Sequence, residues 1–311
     1  MTLRALVTEY LAYKRALGHR FVSEGHVLQS FCRHIGGGPV TAVSADSVLA
    51  FIHRPQTSPA TAARKYRVLA GLAQHACVRH RGATLPLPPA PRKRPSSFVP
   101  YIYSQEELKR LLDAAAAICT ARTFIDAYVL RTVLLVLYGA GLRLSEALAL
   151  NVADIDFEEA VLTIRQTKFY KTRLVPLGHD LADVLREYRR RHGHRHPHGP
   201  TAPFFCFRNR QRVSASALER TFRRLRVAAG VQREGGARQQ PRLHDLRHAA
   251  AVHRVIQWYR GGADLQRLLP HLAIYLGHVD LSSTQRYLTL TPQLLHEASL
   301  RFQRYALGER P

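Results

Sequence analysis

Between Thr84 and Pro100 the chain places prolines at 86, 88, 89, 91 and 95. Each fixes its own φ and lacks an amide donor, and each biases the preceding residue away from the helical region. No helix or inner strand can run through such a stretch, so it stays extended and divides the 311 residues in two. The boundaries expected are a unit over 1–82, a linker over 83–100 and a larger unit over 101–311. Both units have enough chain to bury a core.

The piece before the prolines reads as helical. Leu6, Tyr10, Tyr13 and Leu17 recur at three- and four-residue spacing, as do Val27, Phe31 and Ile35. Gly36-Gly37-Gly38-Pro39 ends the second of these helices. Ser44 to Ile52 and Ser58 to Val78 supply two more. After the linker, Ser104 and Glu107 have capping-box spacing, and Tyr103 with Leu108 forms a hydrophobic staple. Helices are expected through Leu112, over about 124–138, over 182–190, over 214–228 and over 245–259. Val161 to Gln166 alternates apolar and polar residues, and Arg173 to Leu177 is a second strand, with residues 167–172 as the hairpin connection.

Charge narrows the function. There are 46 Lys and Arg against 22 Asp and Glu, a formal net charge of +24, with 46% hydrophobic residues. A folded chain this basic calls for a polyanion, and nucleic acid is the default. Only six of the basic residues are lysine, so the phosphate-matching fork of arginine dominates. Arg92-Lys93-Arg94 within the linker are candidates to lie along a phosphate backbone; a solvated spacer is the plainer alternative. Cys32, Cys77, Cys119 and Cys206 form no CxxC pair, which disfavours a thiolate zinc site or a disulfide framework. No secretory signal opens the sequence and no apolar run reaches the ~18 residues of a membrane span, so a soluble, cytoplasmic protein without a membrane partner is expected.

Four segments carry candidate chemistry. Arg143 lies in Gly141-Leu142-Arg143-Leu144-Ser145-Glu146, where Ser145 is a plausible helix cap. Lys168 and Lys171 lie in Thr167-Lys168-Phe169-Tyr170-Lys171. His244 and Arg247 stand three apart at a helix start and project to one side. His278 follows Leu276-Gly277, and Tyr287 comes nine residues later. Taken singly, each has a plain alternative: a surface arginine, a solvated lysine, a capping histidine. His244 and His248 also have zinc-ligand spacing, but Asp245 stands where a metalloprotease has Glu. Asp154, Asp156, Glu158 and Glu159 could hold Mg²⁺, yet read better as the turn into the strand at Val161. No phosphate-binding glycine loop is present. Together the four segments offer two arginines to hold a phosphodiester in attack, a tyrosine nucleophile, a lysine to protonate the leaving oxygen, and histidines to position the phosphate and share the proton movement. No metal or cofactor is needed for that set.

In order and spacing, these segments resemble the tyrosine recombinases, the phage-integrase family. The resemblance covers roughly residues 100–290. It implies that the chain is mainly α, with a helical, SAM-like core-binding domain over 1–82. A mixed α/β catalytic domain bearing a small antiparallel sheet would fill 101–311. It implies Arg143 as first catalytic arginine, Lys168 as general acid, His244 and Arg247 as the His-x-x-Arg pair, His278 as second histidine, Tyr287 as nucleophile and Glu146 as a supporting acid. The hairpin departs from the common Gly-Lys-Gly-x-Lys pattern, which keeps Lys171 open as the acid. Further implications are a 3′-phosphotyrosyl intermediate and double-stranded DNA recombination sites, clamped between the two domains. The protein would act as a homotetramer on two such sites, with the segment around Leu294, Leu295, Ala298 and Phe302 docking on a neighbouring subunit. Integration or transposition of a bacterial mobile element, with an accessory recombinase or DNA-bending protein, fits the same picture. A type IB-like topoisomerase, a DNA-binding regulator that lost catalysis and a metal-dependent nuclease are the rivals.

Overall fold

The computed structural model describes residues 1–80, 84–90, 99–120, 123–165, 172–193, 199–237 and 239–277, with His296, Ser299, Gln303 and Leu307. The chain separates into two compact units, Met1–Ser96 and Ser97–Pro311.

The first unit is built from helices α1 (Leu3–Ala16), α2 (Val22–Ile35), α3 (Ala45–Ile52) and α4 (Pro59–Arg79). Side-chain oxygens of Thr2, Ser44 and Ser58 accept amide bonds at the starts of α1, α3 and α4, and Gly36 closes α2 at φ +94°. Leu6, Tyr10, Leu28, Phe31, Phe51, Leu69 and Leu72 fill the core. Leu6 and Tyr10 are buried as the spacing predicts. Tyr13 and Leu17 are instead exposed, because the buried stripe of α1 runs through Leu3, Val7 and Leu11 beside them. Tyr13 gains a different role, packing against the ring of His75 at 5.0 Å. The proline stretch is not pure spacer, since Leu85 is buried in this core and Leu87 packs against it. Arg92, Lys93 and Arg94 lie outside the described residues.

The second unit is helical around a three-stranded antiparallel sheet. Its helices include, among the described residues, α5 (Gln105–Ile118), α6 (Ala127–Gly139), α7 (Leu144–Ala149), α8 (His179–His192), α9 (Ala215–Ala228), α10 (Leu243–Arg260) and α11 (Leu265–Leu276). The strands β1 (Ile155–Asp156), β2 (Val161–Ile164) and β3 (Arg173–Pro176) pair in sequence order, with Leu162 opposite Val175. Leu162 and Ile164 face the core, as their alternation predicts. The central helix α6 is apolar nearly all round and packs against α5, α8 and α10. It begins at Ala127, capped by the Asp126 carboxylate, rather than at Phe124, which is exposed. The acidic cluster serves the turn from β1 to β2: Asp156 accepts the amides of Glu158 and Glu159, and Asp154 accepts Asn151 N–H and Arg165. The Gly261-Gly262 pair ends α10, and α11 accommodates Pro270 at an exposed position. Among the described residues no helix is long and apolar enough to cross a membrane.

The Ser104–Glu107 capping box is complete, with Glu107 N–H to Ser104 Oγ at 3.1 Å and Ser104 N–H to Glu107 Oε2 at 2.9 Å. Tyr103 and Leu108 both pack into the core of the second unit, as a staple requires. Ser104→Ala is expected to lower stability by about 1 kcal/mol, read as a shifted urea midpoint with unchanged slope.

Candidate active site

Helix α6 stops at Gly139-Ala140-Gly141. Gly141 sits at φ +58°, and a Cβ there would come within 2.7 Å of Leu276 Cδ2, so the close approach of this turn to the end of α11 needs glycine. Two residues later Arg143, extended at φ −70° and ψ 149°, is the N-cap of α7. Ser145, expected to cap, lies inside the helix. The capping is done in reverse: Glu146 Oε2 accepts the Arg143 amide at 2.9 Å. Asp245 does the same for the Arg242 amide at the start of α10, also at 2.9 Å. A carboxylate at the third helical position thus satisfies the orphan donor at both helix starts, and in each case the residue it caps is an arginine.

Glu146 is the hub of the site. Its Oε1 accepts Arg143 Nη1 at 2.7 Å and Arg173 Nη1 at 3.0 Å. Its Oε2 accepts Arg173 Nη2 at 2.8 Å and lies 4.0 Å from Arg247 Nη1. Burial alone would raise the Glu146 pKa. The bidentate bond from Arg173, the Arg143 amide and the two guanidinium charges outweigh it and hold the carboxyl at about 2.

The same three arginines hold the C-terminal end of α11. Arg173 Nε donates to Tyr275 O at 3.2 Å, Arg247 Nη2 to Leu276 O at 2.5 Å and Arg143 Nη2 to Gly277 O at 2.7 Å. These are three successive carbonyls at the negative end of a helix, where cations are most favourable. Arg247 also donates to Gly141 O at 2.6 Å, which ties the α6–α7 turn to the α11 end. Gly277 takes the left-handed conformation at φ +67°.

The sequence placed His244 and Arg247 on one side of a helix. In the structure they diverge: Arg247 is 1% exposed and enters the cluster, whereas His244 is solvent-accessible and packs edge-on against His248 at 4.7 Å. Partial burial, then the Arg247 charge, lowers the His244 pKa against the opposing pull of Asp245. His244 is therefore neutral at pH 7 and able to accept a proton. Arg143 retains a side-chain exposure of 33%, against 12% for Arg173. It is the face of the cluster open to solvent. Three guanidinium groups against one carboxylate leave an excess of positive charge, suited to an anion such as a phosphodiester.

Arg143, Glu146, His244 and Arg247 are thus placed. Lys168, Lys171, His278 and Tyr287 lie outside the described residues, as do Leu294, Leu295, Ala298 and Phe302. Arg173 is a residue that sequence reasoning passed over. It read as the first residue of a strand, and nothing local distinguishes it among so many arginines. Among the described residues no group of three His, Cys, Asp or Glu is arranged to hold a metal ion.

Residues 102–293 match the model of the phage integrase family. The chain is a tyrosine recombinase of the phage integrase family. It is 36% identical to an inferred integrase/recombinase, y4rB, of Sinorhizobium fredii, over 97% of this chain and 98% of that protein. It is 31% identical to tyrosine recombinase XerA of Pyrococcus furiosus, over 68% of this chain and 63% of that one. Among solved structures, the Tn1549 transposon integrase in complex with transposon right-end DNA superposes with a TM-score of 0.68 at 15% identity, covering 98% of this chain and 100% of that one. A lambda integrase tetramer bound to a Holliday junction superposes at 0.66 and 17% identity, covering 92% and 77%. At these identities the structures speak to the fold, which is that of this recombinase, mainly α with its small antiparallel sheet.

The Glu146 ionisation predicts a pH dependence of stability for this recombinase. Its folded pKa lies below the ordinary value of 4.5, so the stabilisation is fully present above pH 4.5 and is lost as pH falls towards 2. The loss is on the order of 3 kcal/mol. In urea unfolding between pH 6 and 2.5, the difference in stability between wild type and Glu146→Gln is expected to shrink by about that amount. A constant difference would show that Glu146 does not carry the ionisation.

Proposed function

We propose that this recombinase cuts and rejoins double-stranded DNA at specific sites through a 3′-phosphotyrosyl intermediate. The observation that carries the proposal is the junction of Arg143 and Arg247 on one carboxylate, Glu146, inside the segment that matches the family. The Arg143 guanidinium has five N–H donors, keeps a third of its side chain exposed and uses two donors on the protein bonds described, to Glu146 and to the Gly277 carbonyl. Its remaining donors can meet a non-bridging oxygen of a phosphodiester, with the buried Arg247 charge directly behind it.

In the proposed reaction the Tyr287 hydroxyl attacks phosphorus. The P–O bond to Tyr287 forms, the P–O5′ bond breaks, and Arg143 and Arg247 bear the charge of the pentacovalent state. His244, neutral, takes up the tyrosine proton, and His278 donates a hydrogen bond to the phosphate. Lys168, with Lys171 as the alternative, gives a proton to the departing 5′ oxygen. The ester to Tyr287 conserves the energy of the bond it replaces, and the 5′ hydroxyl of a second strand reverses the step to rejoin DNA. Neither a nucleotide nor a metal ion is called for.

The first unit, the linker triplet Arg92-Lys93-Arg94 and the rest of the positive charge would grip the duplex through phosphates. Strand exchange needs two sites and a paired exchange, hence the homotetramer; the lambda integrase tetramer bound to a Holliday junction supports that assembly. The transposon integrase neighbour supports a role in integration or transposition of a mobile element; the reaction would take place in the bacterial cytoplasm, on the nucleoid.

Covalent capture tests the proposal. Incubated with a pool of nicked, partly randomised duplexes, the wild-type chain should form a protein–DNA adduct that survives denaturant and chelator. No adduct, or one lost with chelator, would refute the phosphotyrosyl mechanism.

A further inference from the structure

Arg173 is unassigned by the reaction scheme, yet its side chain joins Glu146, the Tyr275 carbonyl and the Gly277 turn. It opens β3, directly after the segment that carries Lys168 and Lys171. Two of its nitrogens hold both oxygens of Glu146, at 3.0 and 2.8 Å, and the third holds the Tyr275 carbonyl at 3.2 Å. The side chain lies flat against Gly277: a Cβ on that glycine would be 2.7 Å from Arg173 Nη1 and 2.9 Å from Cζ. One planar guanidinium thus fixes three things. It sets the rotamer of Glu146, which in turn aims Arg143. It makes the strongest of the bonds that offset the burial of a carboxylate faced by Arg143 from α7, Arg173 from β3 and Arg247 from α10. It also packs the left-handed turn that leads into His278.

We infer that Arg173 is a positioning residue for strand cleavage, one that organises Arg143, Arg247 and the Gly277 turn through Glu146 without touching DNA. This rests on the function proposed above. The three nitrogens of Arg173 are all engaged with protein, and its side chain is 12% exposed where that of Arg143 is 33% exposed. The geometry is one that lysine cannot reproduce: a single ammonium cannot span two carboxylate oxygens in a plane and reach the Tyr275 carbonyl as well.

The consequence is a separation of binding from chemistry. With Arg173 removed, Glu146 keeps Arg143 as a partner but loses its bidentate clamp, so Arg143 samples rotamers that no longer meet the phosphate. A displacement of the order of 1 Å costs about 100-fold in rate. The Glu146 pKa would also rise, because the first of the interactions opposing its burial is gone. Protonated Glu146 no longer anchors the arginines, so the acid limb of the cleavage rate should move to higher pH.

The test uses the full chain and one nicked duplex recovered by the wild type from the partly randomised pool. Single-turnover adduct formation is followed from pH 5 to 8 for wild type, Arg173→Lys and Arg173→Ala, with duplex affinity measured in parallel. Expected for Arg173→Ala is a rate about 100-fold below wild type with affinity within threefold, and for Arg173→Lys a partial loss with its acid limb shifted upward. Exogenous guanidinium at millimolar concentration should restore part of the Arg173→Ala rate, which a merely structural defect would not show. Should Arg173→Ala fail to fold, the pH profile of Arg173→Lys decides alone. A folded Arg173→Lys with wild-type rate and profile overturns the positioning role while leaving the recombinase reaction intact. Failure of the wild type itself to capture any duplex overturns both.

Discussion

Tyr287→Phe is expected to abolish the covalent adduct altogether, a loss of at least about 10⁴-fold in single-turnover capture. The substitution removes one oxygen and keeps the ring, so binding to duplex DNA should stay within a few-fold of wild type. Tyr275 is committed elsewhere: its ring packs against the core and its hydroxyl donates to the Pro176 carbonyl at 3.4 Å. Burial also raises its pKa, the reverse of what a nucleophile needs. Tyr275→Phe should accordingly still form the adduct. Denaturing gels of wild type, Tyr287→Phe and Tyr275→Phe on the same nicked duplex check both expectations. An adduct that persists in Tyr287→Phe would move the nucleophile to another tyrosine, with Tyr305 the next candidate.

The second large effect is at Arg247, whose replacement should injure fold and chemistry together. Its guanidinium is fully buried and holds Gly141 O at 2.6 Å, Leu276 O at 2.5 Å and the field of Glu146 at 4.0 Å. Arg247→Ala leaves two buried carbonyls without these donors, at about 1–3 kcal/mol each. It also leaves Glu146 with less compensation. If Arg247 bears transition-state charge as proposed, its loss adds a rate penalty on the order of 10³-fold. Arg247→Lys keeps the charge but reaches only one of the two carbonyls, so it should fold with a lowered Tm and cleave at least about 100-fold more slowly. Circular dichroism melts beside adduct kinetics separate the two losses. A well-folded Arg247→Lys with wild-type cleavage would remove Arg247 from the phosphate.

Much of the fold is legible in the sequence because its signals are local. Ser44, Ser58, Ser104 and Ser214 each begin a helix where a side-chain oxygen precedes an apolar period, and each accepts an amide there. The strand Val161–Ile164 follows its alternation. Predictions drift where tertiary packing chooses between neighbouring faces. Helix α1 could bury the stripe through Tyr13 and Leu17, but Leu3, Val7 and Leu11 fit the bundle better. Helix α8 runs from His179 to His192, beyond its expected 182–190. The basic last turn, Arg189 to His192, suits a helix C-terminus. The two-residue strand β1 has no sequence signal and exists because Ile155 and Asp156 find partners in β2.

The site divides along the same line. The order of Arg143, Glu146, Lys168, His244, Arg247, His278 and Tyr287 along the chain is enough to propose a phosphoryl-transfer chemistry and a family, because residue types and spacings are properties of the sequence. Which arginine faces solvent, which is buried, and that a third one, Arg173, shares their carboxylate are not. Those depend on bringing the α6–α7 turn, β3, α10 and the end of α11 to one point, over sequence separations of 27 to 134 residues. A guanidinium becomes part of a site through the buried acceptors it meets, here Glu146 and the carbonyls of Tyr275, Leu276 and Gly277. Only the tertiary structure supplies those.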